Sequence, residues 1–383
     1  MAEPIARQAL ATGGNPAELA RALADRLAGP KLQIAFVFAD HRLDPATFAG
    51  LQHALAAPVV GCTTVGVLGP GAPPGRAPAA VGLGLYGDWL RVGVGIAPEL
   101  SKAGLARGRE AVHRAAVALG TTADALDAGR HIAITLLDGT SLAAEAFCIG
   151  SAAAAPKIRF VGGGASTELG QDARGHDRRA FVWAHGEVLS DAGIVIVLES
   201  DQPFCAVMSS HLVPTELKTV VTAASGRVID ELDGRPAGTR LRRLIASIGD
   251  VLHEPRPAHA FARYIDGVPY VRSLREIAGE RLTLAGPVEP GHVLRVMRPG
   301  DMIRMTTRDL AIAAERVGGT MAALLAFSCM TRHTDATLRG TERELAAICG
   351  AYPTIGLQTI SEQSGMLLLN HTLMALAIGA IKS

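Results

Sequence analysis

The chain has 383 residues, 37 Lys+Arg against 36 Asp+Glu for a net charge of +1, and is 49% hydrophobic but only 4% aromatic. That length is ample for a sizeable buried core. The near-neutral charge excludes a nucleic-acid reader working through a broad basic surface, and the high hydrophobicity excludes a long disordered protein.

The scarcity of aromatics argues against stacking platforms for single-stranded nucleic acid. The longest apolar run, Met366 to Ile381, is interrupted by Asn370, His371 and Thr372 and falls short of the ~20 apolar residues of a spanning helix. The N-terminus carries Glu3 and Pro4 and has no continuous apolar core, so it does not read as a secretory signal. The five cysteines (62, 148, 205, 329 and 349) are odd in number and contain no Cys-x-x-Cys. They fit free thiols in a cytoplasmic protein better than a disulfide framework or a zinc ribbon.

Along the chain one order of elements recurs three times. The first copy opens with the apolar strand Leu32 to Phe38. Asp44 then caps a helix with Pro45 at its first position and Phe48, Leu51 and Leu55 on its apolar face. Pro58, a short strand, the turn Gly61-Cys62-Thr63-Thr64 and a strand from Val81 to Tyr86 complete it. Residues 70 to 80 read as a Pro-rich surface loop.

A strand Leu90 to Ile96 and a helix around Leu105 to Leu119 lead to the second copy. It runs from His131 to Leu137 as strand, through a helix capped by Ser141 and facing inward with Leu142 and Phe147, to Pro156 and the strand Ile158 to Val161. The turn Gly164-Ala165-Ser166-Thr167, a polar loop from Gly170 to Arg179, and strands at Ala180 to Trp183 and Ile194 to Leu198 follow.

Val220 to Leu232 reads as a hairpin and Leu241 to Val251 as a helix. A strand His292 to Met297 with a helix Leu310 to Val317 then precedes the third copy, mirroring the segment ahead of the second. That copy has a strand Ala322 to Phe327, a capping box of Thr341 and Glu344, inward-facing Leu345 and Ile348, a stop at Gly350, Pro353, the turn Gly356-Leu357-Gln358-Thr359 and a closing apolar stretch Met366 to Ile378.

The pattern predicts an α/β or α+β protein of two associated domains, built from related strand-helix-strand units with mixed sheets. The boundary is expected near Pro214 to Gly226, giving domains at 31–220 and 221–383. The three Gly-x-x-Thr turns should gather around a shared cleft.

Several residues carry chemistry. Cys329 ends an apolar strand three residues before Arg332, and a guanidinium near a thiol favours the thiolate; a small buried hydrophobe is the plainer reading. Arg332 and His333 are expected in the loop that follows, where the Arg fork would suit a carboxylate or phosphate. Glu362 sits in the turn-rich SEQSG, placed to receive an amine or act as a base, or simply solvated.

Asn370, His371 and Thr372 break an apolar segment and need partners if buried. Gly162, Gly163 and Gly164 with Ser166 could present amides to an anion or form a tight turn. Thr64 holds the matching place in the first turn, and Glu168 and His176 flank the second. The sequence has no dinucleotide fingerprint, P-loop, HExxH or Gly-x-Ser-x-Gly elbow.

Taken together, VVGCTTVGVLGPG, FVGGGASTELG, AFVWAHGEVLSDAGIVIVLE, VTAASGRVIDELDGRPAG, AFSCMTRH, IGLQTISEQSG and LLNHTLM resemble the FIST family, in the family's order, from about Lys31 onward. The resemblance implies paired N- and C-terminal sensory domains in the cytoplasm that bind a small ligand such as an amino acid or small carboxylate. It matches Cys329, Arg332, Glu362, Asn370 and Thr372. It departs at Thr331, where the family tends to have Gly, and at Ser361 and Gln363 around Glu362, which puts the usual ligand in doubt.

A FIST-like region filling the chain implies signalling through a partner protein or a homodimer. An enzyme, a hydrolase or isomerase using Cys329, Glu362 and His371, is the alternative. A haem-based nitric-oxide sensor with His371, His333, His211 or His131 as axial ligand is the third reading. No cofactor is predicted from the residues themselves, and neither nucleic acid nor membrane is expected as a partner.

Overall fold

The computed structural model describes residues 5–72, 77–168, 179–265 and 267–380. Three sheets share one plan. In each, an edge strand (Ala6–Thr12, Leu90–Ala97 or Phe204–Ser210) lies antiparallel to a return strand (Ala79–Tyr86, Gly193–Ser200 or Thr372–Gly379). The return strand is antiparallel to a central strand (Leu32–Asp40, His131–Asp138 or Met321–Cys329). The central strand runs parallel to a following strand (Val59–Thr64, Arg159–Ala165 or Thr354–Thr359).

Each sheet is finished by a segment borrowed from another unit. The hairpin Val182–Ala184 and Glu187–Leu189 of unit two extends the sheet of unit one. The hairpin Glu362–Ser364 and Leu367–Leu369 of unit three extends that of unit two. The strand Val67–Leu68 of unit one extends that of unit three. The exchange is cyclic, so no unit can complete its sheet alone.

The inner faces of the three sheets meet in one apolar core. Phe36 and Phe38, Ile132 and Ile134, and Leu325 and Phe327 all belong to it, with the Phe38 and Phe327 rings edge to face at 6.4 Å. Helices cover the outer faces, Pro16–Leu27 on unit one and Leu100–Leu119 with Ala144–Ala154 on unit two. Met302–Arg316 does the same for unit three.

The polypeptide from Leu212 to Pro299 is inserted in unit three between its edge strand and its helix. It forms a separate seven-stranded sheet with its own core, covered by the helix Ala237–Ser247.

The repeat legible in the spacing is thus the organising feature, with corrections. A first strand, Ala6–Thr12, and a helix, Pro16–Leu27, precede the segment where the pattern began. The strand near His292 to Met297 belongs to the inserted sheet, and Phe204–Ser210 takes the place expected of it. In unit two the equivalent of Gly61 and Gly356 is Gly162, not Gly164, because Gly61 lies opposite Val37, Gly356 opposite Ala326 and Gly162 opposite Thr135.

Leu142 is 76% exposed rather than inward, and Thr341 forms no side-chain cap. Asp44 caps its helix as expected, accepting from the Ala46 amide. The loop at 70–80 is described only in part, and most of the segment from Gly170 to Arg179, with His176, lies outside the described residues.

The three equivalent glycines have a common cause. A Cβ on Gly61, Gly162 or Gly356 would stand 1.7, 2.1 or 2.0 Å from the carbonyl oxygen of Val37, Thr135 or Ala326 respectively. Backbone fills that space, and a rigid core cannot yield it. Gly61→Ala, Gly162→Ala and Gly356→Ala should each cost roughly 3 kcal/mol or more in urea denaturation. Gly350→Ala, whose Cβ would meet nothing within 4 Å, should change stability by less than about 1 kcal/mol.

Candidate functional site

Threefold equivalence makes the chemistry of unit three stand out. The last residue of the central strand is Asp40 in unit one, Asp138 in unit two and Cys329 in unit three; these face Thr64, Ala165 and Thr359 across the parallel pair. The borrowed segments place Val67, Val182 and Glu362 at one equivalent position, opposite Leu357, Cys62 and Gly163. By the register of the return strands Asp191 in unit two is equivalent to His371 in unit three, both with left-handed backbone at φ 49° and 58°. Unit three therefore carries Cys, Glu and His where unit two carries Asp, Val and Asp.

The donors around this point are kept while the acceptor changes. In unit two Asp138 accepts from the amide of Thr140 at 2.9 Å, from its hydroxyl at 2.5 Å and from the amide of Asp191 at 2.8 Å. In unit three the amide and hydroxyl of Thr331 and the amide of His371 face the sulfur of Cys329, the hydroxyl at 2.9 Å. Three donors favour a thiolate, yet Cys329 is fully buried. Burial first, and then the Glu362 carboxylate, push its thiol up to about 12. The expectation of a lowered thiol pKa is corrected: the sulfur is neutral, and Arg332 does not face it as a partner.

Glu362 is on a strand rather than in a solvated turn, and is fully buried. Its carboxyl accepts from the hydroxyl of Thr359 at 2.6 Å and from the hydroxyl and amide of Thr372 at 2.7 and 3.3 Å. Burial nevertheless pushes it up to about 8, so at neutral pH it is largely a carboxylic acid. The Asn370 amide donates to the Ile360 carbonyl at 3.1 Å. His371 Nδ1 lies 2.8 Å from the Ser273 hydroxyl of the inserted sheet, and burial followed by the charge of His211 push the imidazole down to about 3.

Arg332 is not in a loop. The segment after Cys329 is the helix Met330–Arg339, and Arg332 is fully buried on its inner side. Its guanidinium donates to Thr306 Oγ1 at 2.7 Å and to the Ser209 carbonyl at 3.3 Å. Beside it His211 Nε2 meets Asp335 at 2.8 Å, and the His211 and His371 rings pack edge to face at 5.9 Å. Arg332 therefore ties its helix to the edge strand and outer helix of unit three, with both terminal nitrogens of its guanidinium engaged.

Thr64, Ser166 and Gly163 occupy the junction of the three units. The hydroxyls of Thr64 and Ser166 lie 2.8 and 2.6 Å from the Gln358 carbonyl oxygen, and the Ser166 amide donates to the Thr63 carbonyl at 3.0 Å. Gly163 lies opposite Glu362 within the sheet, and the Gly164 amide donates to Ser361 at 2.8 Å. The expected amide cradle is thus consumed by strand pairing. The turns do converge, but they pack on one another.

The hollows lie on either side of this knot. A cleft of about 770 Å³ opens between units one and three, walled by Val65 to Gly69, by Gln358, and by Met330, His333 and Thr334 of the helix. An Asp40–Arg42 ion pair at 2.7 Å stands at its rim. His333 Nε2 lies 3.1 Å from Ser328 Oγ, and burial pushes this ring down to about 4. On the other side of the helix, a pocket of about 50 Å³ is lined by Thr331 and Ile360. Both touch Cys329 Sγ, through Thr331 Oγ1 at 2.9 Å and the Ile360 carbonyl at 3.9 Å. The thiol thus sits one layer beneath a cavity.

Of the histidines considered as haem ligands, His371, His211 and His131 line none of the cavities described. His333 reaches the cleft but has Nε2 engaged by Ser328. Among the described residues no group of three or more His, Cys, Asp or Glu is placed to hold a metal, and no helix is long and apolar enough to cross a membrane.

Comparison with known proteins gives the class to which these three exchanged units belong. The chain belongs to the FIST family: the FIST N domain matches residues 32–235 and the FIST C domain residues 237–365. FIST domains are sensory domains that bind small ligands. No curated protein matches the sequence. Among solved structures, a cyanuric acid hydrolase from A. caulinodans is 11% identical over 99% of this chain and 100% of that one, with a TM-score of 0.33, too low to carry an argument.

The residues missed by spacing alone are those the inserted sheet supplies, Ser273 above all. It reaches His371 from 98 positions away, and no local pattern marks it.

Two measurements check this site. In native protein at pH 8, iodoacetamide should label the half-buried Cys205 and Cys349 while Cys329 stays unmodified until unfolding, as mass spectrometry of digests would show. Glu362 titrates near 4.5 when unfolded and near 8 when folded. Between those values the folded state holds a proton the unfolded state has released, so stability from this group falls as pH rises through the window. The slope is at most about 1.4 kcal/mol per pH unit. Glu362→Gln should flatten urea-unfolding free energies between pH 5 and 8, its advantage over wild type growing towards pH 8.

Proposed function

We propose that this FIST protein is a cytoplasmic sensor whose small ligand, an amino acid or small carboxylate, binds in the cleft between units one and three, and whose output passes through a partner protein or a homodimer. One observation carries the reading: the cleft of about 770 Å³ is bounded by the turn regions of units one and three and by two helices of unit three, Met330–Arg339 and Glu342–Gly350. That is the size and placement usual for small-molecule sites, which favour seams between packed modules.

Its chemistry suits a zwitterion. Apolar Val65, Val67 and Leu345 form walls, while Arg42, Glu342 and Arg343 supply charges of both signs. Five unpaired cysteines fit a reducing compartment. Output by association follows from the family's sensory role and is supported by no interface described above.

Thermal-shift screening against amino acids and small carboxylates should find a stabiliser; at 100 times its dissociation constant a ligand adds about 2.7 kcal/mol. Ala346, exposed on the cleft wall, offers a test that spares the core. Ala346→Trp should leave the melting temperature of the free protein within about 2 °C and weaken the ligand at least tenfold in calorimetry. Undiminished affinity in that variant would move the ligand elsewhere.

A further inference from the structure

The seam between the inserted sheet and unit three gathers cations, while the two acids that line it, Glu145 and Asp335, are ion-paired to other residues. Arg275 lies at an irregularity of the strand Val268–Ala278, where Leu274 pairs with Leu284 and Glu276 with Thr283, leaving Arg275 as the extra residue. Bulges of this kind re-aim side chains. Arg275 lines the pocket beside Thr331, and Ser273, two residues earlier, reaches Thr331 and His371 of unit three. Arg227, in the turn of the preceding hairpin, lines an adjoining cavity of about 20 Å³ with Ser361. Ala285 and Ile360 are common to both, so the two hollows are continuous neighbours.

Neither guanidinium has a hydrogen bond or ion pair among the described residues, and Arg227 Nε is shielded from solvent with no acceptor. The Ser361 hydroxyl, on a residue 5% exposed, is likewise buried without a partner. The acids nearby are spoken for: Glu145 binds Arg272 at 2.6 Å, and Asp335 binds His211 and Arg339 at 2.8 and 2.7 Å. Glu276 is exposed. Burial, and then the charge of Arg227, push Arg275 down to about 10, the mark of cations crowded out of water. Arg256 adds a third positive group at the mouth.

Half-buried like charges without a counter-ion are costly to keep, and the Arg fork matches oxyanions in two parallel bonds. We propose that this seam is a binding site for one small oxyanion, a carboxylate or phosphate group, held by Arg275 and Arg227 with the Ser361 hydroxyl as a third donor. The site lies apart from the cleft, sharing only Met330 and Thr334 of its lining.

The test titrates the full-length protein with inorganic phosphate in one arm and acetate or succinate in another, against sodium chloride of matched ionic strength. Wild type should gain several degrees of melting temperature in at least one arm, and the arm that works identifies the group. In Arg275→Gln the anion's effect should vanish or its affinity fall at least tenfold. In chloride alone this variant should melt no lower than wild type, since an unpaired charge has been removed. Arg227→Gln should behave alike, and Ala346→Trp should respond as wild type does, which separates failure here from failure of the cleft reading. An anion effect equal in wild type and both arginine variants, or none in either arm, overturns the site.

Discussion

One backbone carbonyl joins the three units. The oxygen of Gln358, in unit three, lies 2.8 Å from the hydroxyl of Thr64 in unit one and 2.6 Å from that of Ser166 in unit two. All three residues sit where a following strand leaves its sheet, and the exchanged segments follow them at Val67, Val182 and Glu362. A buried carbonyl with two donors is well satisfied, whereas losing either hydroxyl leaves polar groups without water at the centre of the molecule. The cyclic exchange fixes the shared core, and the shared core fixes where each central strand ends. Asp40, Asp138 and Cys329 are three versions of one position because of it.

From that constraint follows the division of labour among the units. In unit two the position holds a carboxylate and three donors that complete one another, with Asp191 also receiving the amide of Ser101 at the start of the helix Leu100–Leu119. Unit three keeps the donors and exchanges the acceptor for a thiol, adds a carboxyl at a place that is Val in the other two, and turns a histidine towards the inserted sheet. Each change would destabilise a symmetric unit. They are tolerated together because Thr359, Thr372 and Ser273 arrive to bond them. Departures from local consistency concentrate where a protein does something other than fold, and here they concentrate beside the insertion from Leu212 to Pro299.

Much of this was legible in the residues and some was not, for physical reasons. The threefold order could be read because strands with apolar runs, Asp44 with Pro45, and glycines before Thr leave local signals. The glycines recur because backbone oxygens occupy the space a side chain needs, a requirement visible at Gly61 and Gly356 in sequence alone. The alignment of unit two slipped by two residues because Gly162, Gly163 and Gly164 offer three candidates, and only pairing with Thr135 decides among them. Arg332 was placed in a loop because helix Met330–Arg339 begins without a side-chain cap. Its burial depends on Thr306 and Ser209, 26 and 123 residues away. Arg227 and Arg275 carried no signal at all: nothing local distinguishes a solvated arginine from one enclosed by a distant unit.

The helix Met330–Arg339 links the two hollows mechanically. Met330 and Thr334 line both the cleft and the smaller pocket, and the same helix buries Arg332 and Asp335 against unit three. An occupant on either side bears on one turn of backbone whose far side is locked by charged hydrogen bonds. Packed elements of this kind move between discrete arrangements rather than bending gradually. If the two occupants prefer different settings of that turn, each must change the other's affinity by the same factor. If they prefer the same setting, the anion pre-organises the cleft and its binding lowers the cost of the second event. Thr331 of the same helix lines the pocket, and its hydroxyl lies 2.9 Å from the Cys329 sulfur.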